Sequence, residues 1–221
     1  MPVEVKFCGL TRAADADVAA SLGARYVGVI FADSPRRVDP PTAAAVVSPA
    51  RGRARAVGVF GPSTTDAIRS VTGRIALDVV QLHGDPTPDT VERVRPVFAG
   101  EVWAVVRVAT NVLPPEAFGL FEVADAVVLD TRVAGRLGGT GTPFAWDAVA
   151  RSLDGHRAHA RVVLAGGLTP ANVGDAMRAI APDVVDVSSG VETAPGIKDH
   201  ARMRAFADAV RGQGSTKGAT R

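Results

Sequence analysis

The chain has 221 residues and a net charge of +2, so its charge balance gives no case for nucleic-acid binding. Its single cysteine excludes an intrachain disulfide and a cysteine-based zinc cluster, and 5% aromatic residues provide no platform for base stacking. No basic and apolar leader begins the sequence, and no run of about 18 apolar residues occurs, which predicts a cytoplasmic protein with no membrane partner.

Eight short, valine-rich apolar runs follow one another along the chain and are predicted to be strands covered on both faces. They span residues 3–8, 26–31, 54–60, 77–82, 102–108, 126–130, 161–165 and 184–188.

Helical patterns lie between these runs, and several begin at a residue that can cap a helix. The predicted caps are Thr11, Ser63 (with Asp66 as a capping box), Thr87 and Thr169. The first of these helices is rich in alanine and should end at Gly23. The segment 109–125 is the weakest helix, because Pro114 and Pro115 interrupt it.

Strand alternating with helix indicates an α/β protein with a parallel sheet. Eight such units favour closure into a single-domain (β/α)8 TIM barrel over an open, doubly wound sheet. The barrel is predicted to span residues 1–211. The tail 212–221, which is rich in Gly, Ser, Thr and Lys, is predicted to be disordered and to take no part in the chemistry.

Polar side chains lie near the carboxyl ends of the predicted strands, where parallel barrels keep their active sites. Asp130 ends a buried strand and precedes a glycine-rich run that reaches Gly141, whose backbone can lie close to a ligand. Alternation along the strands places further polar groups on the inner face of the barrel. They are Lys6, Cys8, Gln81, His83, Arg107, Asp186 and Ser188.

Two interpretations of this polar set remain open. In both, Lys6 and Arg107 are expected to face Asp130 and Asp186, because isolated buried charges are costly. In the first interpretation the set is a purely structural ion network. In the second it is a polar pocket at the mouth of the barrel, which the position near the strand ends favours. The interpretation of Cys8 is equally open. It is either a small buried hydrophobic side chain or a thiol whose thiolate form a nearby cation stabilises.

Two glycine-bearing turns follow the seventh and eighth strands, where barrels of this type commonly bind phosphate. They are Gly166–Gly167 and Ser188–Ser189–Gly190, and the alternative is that they are only tight turns. Arg36 and Arg37 follow the second strand and suit either a solvated surface or a carboxylate ligand. No histidine pair has metal-ligand spacing on one element, so no metal is expected.

Six motifs in register resemble the phosphoribosylanthranilate isomerase family of tryptophan biosynthesis, from about residue 3 to residue 211. They are KFCGLTR, SPRRV, VQLHGD, VLDTRVAGRLGGTGTPFAW, LAGGLTPANV and VDVSSGVETAPGIKD. The resemblance implies a cofactor-free barrel that converts N-(5-phosphoribosyl)anthranilate to 1-(2-carboxyphenylamino)-1-deoxyribulose 5-phosphate, an Amadori rearrangement. The expected partner is then a small phosphosugar, and the expected state a monomer or a homodimer.

The resemblance also implies a role for each matching residue. Cys8 corresponds to the general base, Asp130 to the general acid and Arg36 to the group that holds the anthranilate carboxylate. The phosphate site corresponds to Gly166, Gly167, Ser188, Ser189 and Gly190.

The chain departs from the family pattern at two positions, Arg37 in place of an aromatic residue and Thr142 in place of a common lysine. The sister barrels of histidine biosynthesis carry aspartate where Cys8 stands, so Cys8 favours the single-substrate enzyme. Two alternatives remain: another phosphate-binding barrel, such as a ribulose-phosphate epimerase or a histidine-pathway isomerase, and a phosphosugar-binding barrel that has lost catalysis.

Overall fold

Eight parallel strands close into a barrel in a computed structural model that describes residues 2–108, 112–130, 146–153 and 155–214. Each strand pairs with the next along the chain, and the eighth pairs with the first. The strands are β1 Glu4–Phe7, β2 Tyr26–Ile30, β3 Arg55–Phe60, β4 Val79–Leu82, β5 Glu101–Arg107, β6 Ala126–Asp130, β7 Arg161–Ala165 and β8 Val184–Val187. Each predicted strand is confirmed to within two residues at either end.

A helix follows each strand, which confirms the predicted (β/α)8 barrel. The helices are α1 Ala13–Ser21, α2 Pro40–Val47, α3 Thr65–Thr72, α4 Pro88–Val94, α5 Phe118–Val123, α6 Trp146–Ser152, α7 Val173–Ile180 and α8 His200–Gly214. None of the helices within the described ranges is long and apolar enough to cross a membrane.

The predicted cap at Thr87 is confirmed, because its hydroxyl accepts a hydrogen bond from the Thr90 amide at the start of α4. The cap at Ser63 is wrong by one residue, since the hydroxyl of Thr64 accepts from the Ala67 amide. Both positions offer a hydroxyl, and only the backbone conformation selects between them.

The other two predicted caps are wrong, because Thr11 and Thr169 do not cap a helix and instead form hydrogen bonds within loops. Thr11 donates its hydroxyl to the Gly196 carbonyl oxygen at 2.6 Å, while Arg12 occupies the N-cap position of α1 without a side-chain cap. The amide of Thr169 donates to Oδ1 of Asn172 at 2.7 Å, and α7 begins only at Val173.

Three further features differ from the sequence prediction or refine it. The described part of the segment that Pro114 interrupts, residues 112–125, contains only a 3-10 turn and the six-residue α5. Helix α8 continues through Gly214, three residues beyond the predicted end of the barrel, and residues 215–221 lie outside the described ranges. A small antiparallel hairpin, β9 Glu192–Ala194 with β10 Ile197–Lys198, follows β8 and was not predicted.

The apolar core has two parts, divided by the wall of the barrel. Inward-pointing side chains form one cluster, in which the rings of Tyr26 and Trp103 meet edge to face at 4.8 Å. Outward-pointing side chains such as Phe7 pack against the helices, here on Phe206 of α8. This is the division that alternation along a strand requires. The inner cluster includes Val105 and Val128, which also form part of the floor of the pocket described below.

Candidate active site

A cavity of about 600 Å³ opens at the carboxyl ends of the barrel strands. This volume lies in the range of small-molecule sites. Its lining includes the predicted residues Cys8, Arg36, Gln81, His83, Arg107, Asp130, Gly166, Gly167, Asp186, Ser188, Ser189 and Gly190. The structure therefore brings together side chains that are far apart in the sequence. Gly141, the remaining glycine of the predicted pocket, lies outside the described residues.

Asp186 lines the cavity, while its ion-pair partner Lys6, also predicted as a pocket residue, is buried behind it and is not among the lining residues. Nζ of Lys6, which is fully buried, donates to Oδ2 of Asp186 at 2.7 Å, and the two residues are direct neighbours in the β1–β8 register. Burial opposes the charge on Lys6, but Asp186 and Cys8 together outweigh it and raise the pKa of the lysine. Oδ1 of Asp186 is buried and has no hydrogen-bond partner among the described residues. The predicted pairing of Lys6 with a barrel carboxylate is thus confirmed.

Cys8 follows β1 and points into the cavity, with its thiol close to the Lys6 ammonium. Gly28 makes room for it, because a Cβ at this position would lie only 3.0 Å from Sγ. Burial raises the pKa of the thiol, while Lys6 acts in the opposite direction. The side chain is therefore a buried thiol with a fixed cation beside it, which is a site where a thiolate can be formed when needed.

Asp130 ends β6 on the opposite part of the barrel, where it is half-buried and lines the cavity. Its register partner on β5 is Arg107, an exposed residue at the rim whose Nη1 lies 3.3 Å from the carboxylate of Asp85. Asp85 was absent from the predicted set. His83 is half-buried, and burial lowers the pKa of its imidazole although Asp130 acts in the opposite direction.

Gln81 is the remaining polar side chain of the cavity floor. It is buried, and its Oε1 has no hydrogen-bond partner among the described residues. A buried amide oxygen with no such partner can accept a hydrogen bond from a ligand hydroxyl.

The two glycine-bearing turns pack against each other, because Gly190 has no side chain. A Cβ on Gly190 would lie 1.9 Å from the carbonyl oxygen of Leu168, which directly follows the other turn. Gly166 and Gly167 adopt φ angles of 90° and 67°, a conformation that favours glycine. Ser189 begins a 3-10 turn after β8. Backbone N–H groups in this arrangement suit an anion.

Arg36 reaches the cavity from the loop after β2, and its guanidinium is bound to Glu192 of the β9–β10 hairpin. Nε lies 2.8 Å from Oε1, and Nη2 lies 2.6 Å from Oε2. Lys198 of the same hairpin donates to Oε1 at 2.7 Å. Sequence reasoning missed both hairpin residues, although they lie within the motif VDVSSGVETAPGIKD. Strands of three and two residues are too short to show a periodic pattern.

Among the described residues, no group of three or more His, Cys, Asp or Glu side chains could hold a metal ion. The cavity instead combines a thiol, a carboxyl group, a guanidinium and a pair of backbone turns. Such a set can move protons at two points of a substrate that carries two anionic groups.

Comparison with known proteins agrees with this chemistry. The family model described as N-(5'phosphoribosyl)anthranilate (PRA) isomerase matches residues 5–209. The chain is 42% identical over 216 residues to the N-(5'-phosphoribosyl)anthranilate isomerase of Paramagnetospirillum magneticum. The alignment covers 96% of this chain and 99% of that protein.

Solved structures show the same relationship. Two structures of the Thermotoga maritima phosphoribosylanthranilate isomerase, one described as monomers of a dimeric enzyme, superpose with TM-scores of 0.84 and 0.80. Both are 32% identical to this chain, and the match covers 95% of it and 99% of theirs. A phosphoribosylanthranilate isomerase in complex with reduced 1-(o-carboxyphenylamino)-1-deoxyribulose 5-phosphate gives a TM-score of 0.81 at 31% identity, over 95% of this chain and 99% of that one.

The family match over most of the chain, the identity to a full-length relative and the shared barrel confirm the resemblance found in the motifs. The chain belongs to the N-(5'-phosphoribosyl)anthranilate isomerase family.

Proposed function

We propose that the chain is a phosphoribosylanthranilate isomerase of tryptophan biosynthesis, which converts N-(5-phosphoribosyl)anthranilate to 1-(2-carboxyphenylamino)-1-deoxyribulose 5-phosphate. The observation that carries this proposal is the lining of one cavity by Cys8, Asp130, Arg36 and the two glycine turns, in a chain of this family. The reaction needs an acid, a base and sites for a phosphate and a carboxylate, and this cavity has a candidate for each.

Asp130 acts as the general acid and Cys8 as the general base. Asp130 protonates the ribose ring oxygen, so that the ring opens and the C1′–N bond becomes an iminium. Cys8 as thiolate then removes the proton from C2′, which gives an enolamine that tautomerises to the ketone. Each of these proton transfers contributes on the order of 10²–10⁴ in rate. The reaction is an isomerisation, and the proton gained by Cys8 balances the one given by Asp130.

The environment of each residue suits its part. The Lys6 ammonium beside Cys8 stabilises the thiolate, while the salt bridge to Asp186 keeps that ammonium in place. Asp130 ends β6 and lines the same cavity, so that its carboxyl group faces the bound substrate.

The phosphate and the carboxylate of the substrate are bound by different groups that line the cavity. The turns Gly166–Gly167 and Ser188–Gly190 bind the phosphate through backbone N–H groups. Arg36 binds the carboxylate by the N–H groups that Glu192 leaves open. The ribose then lies between them, over the inner strand ends that bear Cys8 and Asp130.

The partner of the protein is this small phosphosugar, and we assign the reaction to the cytoplasm. A relative of this family, from Thermotoga maritima, is described as dimeric. The chain is therefore proposed to be a monomer or a homodimer whose cavity is built from one chain.

The first prediction concerns the activity of the unmodified protein. Purified full-length chain, mixed with freshly generated phosphoribosylanthranilate, is expected to remove the fluorescence of that substrate with saturable kinetics. A chelator should leave the rate unchanged, since no metal is part of the proposal. Ribulose 5-phosphate and the histidine-pathway aminoaldose should give no turnover. Loss of activity with chelator, or turnover of one of those two compounds alone, would contradict the proposal.

A further inference from the structure

The carboxylate of Glu192 holds the guanidinium of Arg36 by three short contacts. Nε is 2.8 Å from Oε1 and 3.1 Å from Oε2, and Nη2 is 2.6 Å from Oε2. The Glu192 side chain is only 4% exposed and that of Arg36 14% exposed. Burial opposes the charge on Glu192, but Arg36 and Lys198 outweigh it and lower the pKa of the carboxyl group. A charged fork of this kind fixes the plane of the guanidinium.

The contacts leave one edge of the guanidinium for a ligand. An arginine side chain has five N–H groups, and Glu192 engages those of Nε and one of Nη2. Within the described part of the chain, Nη1 has no hydrogen-bond partner, and Arg36 lines the cavity. The Nη1 and Nη2 groups of one guanidinium match the two oxygens of a carboxylate.

The positive charge of Lys198 compensates for the negative charge that Glu192 brings to the Arg36 site. Its Nζ is fully buried and donates to Oε1 of Glu192 at 2.7 Å and to the Ser188 carbonyl oxygen at 3.2 Å. Arg36 paired with Glu192 alone would be electrically neutral. With Lys198 added, the three side chains carry a net charge of +1, so that the site still attracts an anion.

The stem of Arg36 is also confined. Gly9, at a φ of 70°, lies against it so closely that a Cβ there would be 2.5 Å from Cδ of Arg36. The side chain is thus held in the middle by the backbone at Gly9 and at its end by Glu192. Little freedom remains to be lost when a ligand binds, which favours affinity.

The hairpin that carries both residues is tied to the start of α1. Nη2 of Arg12 donates to the Lys198 carbonyl oxygen at 2.9 Å, and Oδ2 of Asp15 accepts from the Lys198 amide at 3.3 Å. Thr11 donates to the Gly196 carbonyl oxygen at 2.6 Å. Both backbone groups of Lys198 are therefore fixed by a different part of the barrel, which keeps its ammonium aligned with Glu192.

We infer that Glu192 and Lys198 are positioning residues for carboxylate recognition: Glu192 orients Arg36 toward the anthranilate carboxylate, and Lys198 restores the positive charge of the site. This inference rests on the proposed function, in which Arg36 binds that carboxylate. Glu192 does not touch the substrate, and its effect passes through Arg36.

The test compares two ligands that differ only in the carboxylate. They are the reduced 1-(2-carboxyphenylamino)-1-deoxyribulose 5-phosphate and the same compound with an unsubstituted phenyl ring. Dissociation constants are measured by titration for the wild type, Glu192→Gln, Arg36→Met and the double variant. Thr193→Ala, an exposed position on the same hairpin, is the matched control.

Glu192→Gln is expected to weaken binding of the carboxylate compound by about 10-fold or more, and that of the phenyl compound by less than about 2-fold. The KM for phosphoribosylanthranilate should rise in parallel, while kcat changes by less than about 3-fold. In the Arg36→Met background, Glu192→Gln should have no further effect. Thr193→Ala should behave as the wild type.

Two results would overturn this inference without contradicting the proposed function. One is an equal loss of affinity for both compounds, and the other is a full additional effect of Glu192→Gln when Arg36 is already methionine. If Arg36→Met left binding of the carboxylate compound unchanged, Arg36 would not be the carboxylate-binding residue. The role proposed for Arg36 and this inference would then both be wrong.

A second variant serves if Glu192→Gln does not fold. Lys198→Met keeps the Arg36–Glu192 contact and removes one positive charge. It should weaken the carboxylate compound by about 10-fold and reduce the dependence of binding on salt concentration, with a smaller loss for the phenyl compound, whose phosphate is assigned to the turn that Lys198 contacts. Unchanged affinity and salt dependence would contradict the role given to Lys198.

Discussion

Cys8 shows how burial and two neighbouring residues define the state of one side chain. Burial raises the pKa of its thiol, Lys6 lowers it, and Gly28 leaves the space that Sγ occupies. The sequence located the thiol and the lysine on one face of a strand, because their spacing of two decides that face. It could not determine the balance between burial and cation, which depends on atoms from other strands.

The thiol of the free protein is predicted to titrate above its ordinary pKa of about 8.5, because burial is the larger influence. Cys8 is the only cysteine, so the rise of thiolate absorbance near 240 nm reports this group alone. Cys8→Ala measured in parallel removes the contribution of tyrosine. A midpoint below the ordinary value of about pH 8.5 would show that the cation dominates instead.

Glycine matters in the site at particular positions. Gly190 allows the two turns after β7 and β8 to touch, and Gly9 allows Arg36 to cross the loop after β1. A glycine in the sequence predicts a turn, but the neighbour that comes close to it is known only from the fold. The same holds for Glu192, whose partner Arg36 is far from it along the chain.

At the scale of elements, the strands were predicted well, whereas the starts of three helices, α1, α3 and α7, were not. An apolar run of valines marks a strand covered on both faces, since such a strand has no polar side. A helix start depends on one backbone conformation, and neighbouring hydroxyls such as Ser63 and Thr64 fit the same pattern. The β9–β10 hairpin escaped detection because long-range bonds, such as that of Thr11 to Gly196, hold it in place.

The start of α3 gives a direct test at this scale. Thr64→Ala should lower the free energy of unfolding by about 1 kcal/mol, because the Ala67 amide loses the hydroxyl that caps it. Ser63→Ala is the matched control and should change it by less than about 0.5 kcal/mol. Both are measured by urea denaturation. A larger loss from Ser63→Ala than from Thr64→Ala would mean that the helix begins one residue earlier.

At the scale of the molecule, barrel closure creates the site. Cys8, Asp130 and Asp186 come from β1, β6 and β8 or the residue just after, and they meet because eight parallel strands bring their carboxyl ends to one mouth. Once the eight strands were recognised, their inward-pointing members could be predicted from alternation. The predicted pairing of Arg107 with a carboxylate inside the barrel was wrong. This residue ends β5 at the rim, and its side chain turns toward solvent and Asp85 rather than into the core.

The barrel also separates stability from chemistry. The inner cluster around Tyr26 and Trp103 fills the interior below the cavity, while the polar groups occupy the strand ends above it. Loops that carry Arg36 and the hairpin therefore rest on a rigid base. We therefore expect most single substitutions at the mouth to leave the barrel folded, which would make kinetic tests of their roles informative.

The central claim is that Cys8 and Asp130 carry the two proton transfers, and steady-state kinetics of Cys8→Ala and Asp130→Asn on phosphoribosylanthranilate test it most directly. Each variant is expected to lose at least about 10²-fold in kcat, because one acid or base is removed. Thermal melting close to that of the wild type would establish that the barrel is intact. If both folded variants kept near-wild-type turnover, these residues would not be the proton carriers.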